Sequence, residues 1–138
     1  MIDKIFIDTN ILVHAYIHND LEKHEKAKKV LSKALNGGKL ILSTQTIGEF
    51  SQVMIRERIK VNIIQTYFNE IIESFPVVEI NLNTLSNSYR LLKKYSLSWW
   101  DSVIVATALE NKYNLLYSED FSHKLIIDNK LTIINPFL

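Results

Sequence analysis

Four acidic residues are placed where they could act together: Asp8, Glu49, Asp101 and Asp120. Asp8 follows the apolar run Lys4-Ile5-Phe6-Ile7. Glu49 lies in the first turns of a helical pattern that follows Lys39-Leu40-Ile41-Leu42-Ser43. Asp101 sits in the first turn of a pattern beginning at Trp99, and Asp120 comes three residues after Tyr117, the end of Asn114-Leu115-Leu116-Tyr117. Carboxylates gathered in a small space repel, and without compensation some must take up protons. A hard divalent cation relieves that repulsion. All the donors are oxygens, which suits Mg²⁺ or Mn²⁺, one or two ions, rather than zinc. Such an ion can turn water into a nucleophile and stabilise attacking and leaving oxygens, so the chemistry indicated is phosphodiester hydrolysis.

The elements that must position these acids follow from hydrophobic pattern. Short apolar runs predict strands over 4–7, 39–43, 77–80, 114–117 and 131–134. Helical spacing predicts helices over 10–17, 21–36, 46–58, 61–74, 83–95 and 99–112. Asn36-Gly37-Gly38 stops the second helix, and Phe75-Pro76 breaks the fourth. The last helix is apolar almost all round, as a helix covered on most sides is. Strands alternating with helices indicate an α/β domain with a mainly parallel sheet of four to five strands. Right-handed crossovers place helices on both faces. Ligands of such sheets sit beyond the carboxyl ends of the strands, the edge at which all four acids are expected.

Each acid also has a purely structural reading. Thr46-Ile47-Gly48-Glu49 fits a capping box, and Ser98-Trp99-Trp100-Asp101 fits its looser acidic form. Asp8 and Asp120 suit turns or caps after strands. Convergence and sequence context carry the functional reading.

That context resembles the successive signatures of PIN domains: Ile5-Phe6-Ile7-Asp8-Thr9-Asn10, Ser43-Thr44-Gln45-Thr46-Ile47-Gly48-Glu49-Phe50, Trp100-Asp101-Ser102-Val103-Ile104-Val105-Ala106 and Leu115-Leu116-Tyr117-Ser118-Glu119-Asp120. The likeness is strongest to small single-domain toxins of the VapC type, and the ending Ile134-Asn135-Pro136-Phe137 also looks like theirs. The resemblance implies a three-layer α/β/α fold and a Mg²⁺- or Mn²⁺-dependent endoribonuclease. It implies metal-site roles for Asp8, Glu49, Asp101 and Asp120, with Thr9, Asn10 and Ser118 as supporting polar residues. The cut would leave 5′-phosphate and 3′-hydroxyl ends. It further implies a toxin paired with a small antitoxin, and a homodimer. In the resemblance Asp120 is the matched acid and Glu119 an exposed or outer residue. One departure is His123-Lys124, where family members often carry His-Gly. The turn before the last strand is then built differently, by Asp128-Asn129-Lys130.

Composition sets the remaining bounds. At 138 residues the chain is one domain, 1–138, by a prior of about 150 residues per domain. Cysteine is absent, which excludes thiol catalysis and thiolate metal sites. A net charge of +1 gives little long-range steering toward nucleic acid. Without a membrane-length apolar run or a signal-type start, a cytoplasmic location is expected.

Other features carry weaker expectations. Arg56, Arg58 and Lys60 lie at the far end of the Glu49 helix, where they could touch RNA backbone. His14 and His18 have i, i+4 spacing but lack the Glu of a zinc-helix motif, and His24 and His123 have no evident partners. Trp99 and Trp100 are expected, one or both, in the core or a subunit interface, with base stacking second. Two other functions compete. A phosphatase with an Asp nucleophile would show Asp-x-Asp where this chain has Asp8-Thr9-Asn10. A non-catalytic PIN scaffold that binds a partner differs from the nuclease in lacking cleavage; a solitary RNA-processing nuclease differs in lacking an antitoxin.

Overall fold

Residues of alternating direction on short apolar strands cover two opposite faces, and helices close both. The computed structural model describes residues 4–37 and 39–138. Met1-Ile2-Asp3, and Gly38 of the expected helix stop, lie outside the described residues. In chain order the elements are β1 (Lys4–Ile7), α1 (Thr9–Tyr16), α2 (Leu21–Leu35), β2 (Lys39–Ser43), α3 (Thr44–Arg56), α4 (Val61–Ser74), β3 (Val77–Val78), α5 (Leu82–Tyr95), α6 (Trp99–Glu110), β4 (Leu115–Tyr117), β5 (Ile126–Ile127) and β6 (Leu131–Ile134). The sheet order is β3-β2-β1-β4-β6-β5. Every pairing is parallel except β5 with β6.

Strand side chains alternate between the faces. Phe6 and Ile41 join Leu91 of α5 and Ile104, Val105 and Ala108 of α6 on one side. Ile7, Leu40 and Leu42 join Ile11, Ala27, Phe50 and Ile64 of α1–α4 on the other. Both faces being covered, the strands read as continuous apolar runs. The expected three-layer α/β/α arrangement is the observed one. Residues 102–108 of α6 are buried throughout, matching the all-round apolar pattern.

The ends of α1, α2, α5, α6 and β4 shift by one or two residues from expectation, and three differences go further. The third strand is Val77–Val78 rather than 77–80, because the Ile80 N–H donates to Thr44 Oγ1 (3.2 Å) and Asn81 caps α5. α3 begins at Thr44, since Ser43 Oγ accepts the Thr46 N–H (3.2 Å). Glu49 therefore lies in the second turn, and the capping box around Thr46 does not form. The sheet has six strands rather than four to five. Ile126–Ile127 is too short to show a period, and its hairpin to β6 depends on Asp128 (φ 53°) and Asn129 (φ 55°). Two successive left-handed residues closed by Lys130 N–H to Ile127 O (2.9 Å) make the mirror-image turn that suits strand twist. This is the segment the sequence indicated for the turn.

Asp128 also ties that hairpin to α5. Its carboxylate accepts from Arg90 Nη2 (2.6 Å), Arg90 Nη1 (3.3 Å), Lys94 Nζ (3.2 Å) and Tyr95 Oη (2.9 Å). The Arg90 guanidinium above all holds this carboxyl well below the usual range. A depressed native pKa gives stability that is present above the unfolded value near 4 and lost as pH falls below it. Arg90 and Lys94 are largely exposed, which lowers the worth of each pair. Asp128→Ala is expected to lower unfolding free energy by about 1–3 kcal/mol at pH 7. Asp128→Asn, which tolerates the left-handed backbone, should lose less. Urea unfolding at pH 7 and pH 3 checks both, with the gap between wild type and Asp128→Asn narrower, though still open, at the lower pH.

Candidate functional site

β1 and β4 are neighbours, and the chain departs from β1 toward β2 on one side while β4 lies on the other. Their carboxyl ends therefore flank the place where strand order changes direction, the usual ligand position of open α/β sheets. Asp8 leaves β1 here. Its N–H continues the ladder to Tyr117 O (3.0 Å). Its side chain caps α1, accepting the Thr9 N–H at 2.7 Å. The structural reading of Asp8 as a cap is thus correct, and it coexists with a place among other acids. Ser118 Oγ donates to Asp8 Oδ2 (2.7 Å) and accepts the Asp120 N–H (3.1 Å).

The structure brings all four acids to this edge, and neutral donors link Asp8, Asp120 and Glu49. Asn10 Nδ2 lies 3.5 Å from Asp8 Oδ2, 3.3 Å from Ser118 Oγ and 3.1 Å from Asp120 Oδ2. Thr9 Oγ1 donates to Glu49 Oε1 (3.3 Å), and Gln45 Nε2 donates to the same oxygen (2.9 Å) and to Trp100 O (3.1 Å). Asp101 stands at the start of α6, with its N–H capped by Ser98 Oγ (3.2 Å). Asp8 is 4% exposed, Glu49 and Asp101 are half-buried and Asp120 is exposed.

Burial pushes the Asp8 carboxyl up to about 7. The Ser118 and Thr9 hydrogen bonds oppose this, while repulsion from Asp120 and Glu49 adds to it. Asp101 is raised by burial, against the Ser98 hydroxyl and with repulsion from Asp120. The like charges thus sense one another along the series Glu49, Asp8, Asp120, Asp101.

Glu119 is engaged elsewhere. Lys23 Nζ (2.6 Å) and His14 Nε2 (3.0 Å) both contact its carboxylate and hold it below the usual range despite partial burial. Asp120 is therefore the acid turned to the site, and Glu119 fastens the β4 end to α1 and α2. His24, without an evident partner in sequence, has one: its Nδ1 lies 2.8 Å from His14 O. His123 Nδ1 likewise accepts the Asn135 N–H (3.0 Å).

Arg56, Arg58 and Lys60 are exposed at the far end of α3 and in the turn to α4. Arg56 is about 10 Å along the helix from Glu49, so these cations are not gathered with the acids. Of the two places expected for the tryptophans, the core is not the one they take. Trp100 is 54% exposed, and half-buried Trp99 packs on Tyr89 with ring centroids 4.9 Å apart; neither is a core residue. Gln45 was not singled out in the sequence. Its available signal was placement four residues before Glu49, on the same face of α3.

The PIN domain family model matches residues 5–126. The chain belongs to the PIN domain family. No curated protein sequence matches it. Among solved structures, a toxin–antitoxin complex from Klebsiella pneumoniae is 19% identical, with a TM-score of 0.72 over 96% of this chain and 98% of that one. VapC20 of Mycobacterium tuberculosis, described as a sarcin–ricin loop cleaving toxin, is 17% identical, with a TM-score of 0.71 over 86% of this chain and 93% of that one. VapBC2 of Rickettsia felis, solved bound to a DNA fragment from its promoter, is 16% identical, with a TM-score of 0.68 over 96% and 97%. These likenesses are of fold.

The donors of this PIN domain fit a hard cation in kind: oxygens alone, with Asp8 and Asp101 both raised by burial and like charge. Among the described residues, no three acidic or histidine side chains stand close enough to chelate an ion together. Thr9, Asn10 and Gln45 stand between them. That spacing suits an ion which takes one or two carboxylates directly and keeps several waters, as Mg²⁺ does.

The raised Asp8 pKa has a consequence for stability. Between about pH 4 and pH 7 the native state holds a proton that the unfolded state has released, so stability falls as pH rises through that window. Asp8→Asn removes the dependence while keeping the shape. The variant is expected to be more stable than wild type at pH 8, by roughly 1–4 kcal/mol, with the difference vanishing near pH 4. Chemical denaturation across this range checks it; a difference independent of pH contradicts the raised Asp8 pKa.

Proposed function

We propose that this PIN domain is a Mg²⁺- or Mn²⁺-dependent endoribonuclease, the toxin of a toxin–antitoxin pair. The observation that carries the reading is the buried carboxylate of Asp8, pushed up to about 7 beside Asp120 and Glu49 and braced by Ser118 and Thr9. Such a group is poorly satisfied by protein alone and well satisfied by a cation. The bound metal would lower the pKa of water and polarise phosphoryl oxygens.

The chain's own residues supply placement. Asp8 and Asp120, bridged by Asn10, would hold the ion, with Glu49 and Asp101 on either side of them. Ser118, Asn10 and Thr9 fix the carboxylate orientations. Hydrolysis adds water at phosphorus and releases the 3′-oxygen, leaving 5′-phosphate and 3′-hydroxyl ends. Arg56, Arg58 and Lys60 contact RNA backbone away from the cut.

The antitoxin partner is supported by the fold likeness to a toxin–antitoxin complex and to VapBC2. Exposed apolar side chains on α4, Val61, Ile63, Phe68 and Ile72, offer surface for a partner or a second copy in a homodimer. No helix among the described residues is long and apolar enough to cross a membrane.

Purified protein with Mn²⁺ is expected to cut total cellular RNA at discrete positions with 5′-phosphate ends. Asp8→Asn or a chelator should reduce the rate by at least about 100-fold. Undiminished cutting by folded Asp8→Asn in chelator overturns the mechanism. Absence of cutting by wild type, together with tight binding of a protein partner, favours a non-catalytic scaffold.

A further inference from the structure

The loop that carries Asp120 is held by side chains. The Ser118 N–H donates to Ile134 O (3.0 Å), and past it the chain leaves the sheet. Among the described residues, residues 119–121 make no backbone–backbone hydrogen bond. Two anchors flank Asp120 instead. On one side Phe121 is buried in the core cluster of Leu91 and Ile104. On the other is Glu119. His14 Nε2 meets its Oε1 (3.0 Å), and Lys23 Nζ meets its Oε2 (2.6 Å). Donors from two different helices grip both oxygens, so the carboxylate cannot swing about either one.

The two donors are themselves restrained by Phe137. Its ring centroid lies 5.1 Å from that of His14 and 5.5 Å from Lys23 Nζ. Its backbone is tied in turn, with the N–H donated to Asn135 Oδ1 (2.9 Å) and the carbonyl accepting from Lys26 Nζ (3.1 Å). The grip reaches the acids through Asn10. The Glu119 N–H donates to Asn10 Oδ1 (3.4 Å), the one contact of that oxygen among the described residues. This contact favours the amide orientation in which Nδ2 faces Asp8 and Asp120. The flipped amide would turn an oxygen toward both carboxylates.

We propose that Glu119, His14, Lys23 and Phe137 are positioning residues for divalent-ion binding: they hold Asp120 and the Asn10 amide at the spacing from Asp8 that takes the ion. The inference rests on the metal reading above and adds to it residues that touch none of the four acids. Groups that orient metal-binding side chains typically govern affinity by about 10- to 100-fold. Charge alone predicts otherwise. Lys23 is a cation whose field reaches Asp120, so deleting its charge would tighten the hold on a divalent cation if position did not matter. Phe137 carries no side-chain charge, and on charge alone its replacement would change nothing.

Mn²⁺ binding is measured without RNA, by electron paramagnetic resonance of the free ion, and counted at the site that Asp8→Asn removes. Lys23→Met and Phe137→Leu are each expected to weaken that site at least about tenfold. Lys23→Arg, which restores a cation to Glu119, should bind within a few-fold of wild type. Melting temperatures should stay close to wild type for the Lys23 variants, because so exposed an ion pair adds little to stability. Affinity unchanged or tighter in Lys23→Met, affinity unchanged in Phe137→Leu, or Lys23→Arg as weak as Lys23→Met overturns the proposal. Weakening in Lys23→Met that is matched by a fall in melting temperature marks loosening of the whole fold and also overturns it. In all these cases wild type still binds Mn²⁺, and the metal reading stands. Wild type with no Mn²⁺ site that Asp8→Asn removes overturns the metal reading and this inference together.

Discussion

A carboxylate sealed at the end of a parallel strand must have its charge met by whatever the fold brings to it. Asp8 is that group. It is covered because α1 begins one residue later, and because the ladder to β4 continues through its own N–H. Water cannot solvate it, and its nearest charged neighbours are other acids. The hydroxyl of Ser118 and the N–H of Thr9 meet part of the charge, and the remainder favours a proton or a cation. Much of the local sequence follows from that constraint. Ser118 must be small and hydroxylated, and Asn10 must reach two carboxylates from one amide. Glu119 must be drawn off to Lys23 and His14, since a further unpaired anion would deepen the repulsion.

The same constraint accounts for the second ring of contacts. Glu49 does not sit in a capping box, which would have tied its carboxylate to the helix start. Ser43 caps α3 instead, and Glu49 is placed a turn further on, where Thr9 and Gln45 hold it. Gln45 spends its amide hydrogens on Glu49 and on the carbonyl of Trp100, joining the start of α3 to the start of α6. That connection sets Trp100 at the edge of the acidic site rather than in the core.

Much of this was legible from the sequence. Apolar runs located the strands because both faces of the sheet are covered. The position of each acid just past a strand, or at a helix start, was enough to put all four at one edge. What the sequence concealed was of two kinds. β5 is shorter than any period can report, and it exists because Asp128 and Asn129 take left-handed backbone. Gln45, and the pairing of Glu119 with Lys23 and His14, depend on contacts between distant segments that no local pattern encodes. The expectation of a core place for Trp99 or Trp100 fails for a related reason. Large apolar type suggests burial, but the helix start they occupy lies at the rim of the sheet.

The central claim is that Asp8 shares a field with neighbouring carboxylates that a divalent cation can relieve. Carboxyl ¹³C NMR of Asp8 across pH 4–9, with and without Mg²⁺, tests it directly. The account predicts a midpoint near 7 without metal, and a marked fall when Mg²⁺ is added. A midpoint near 4 in both conditions would contradict it.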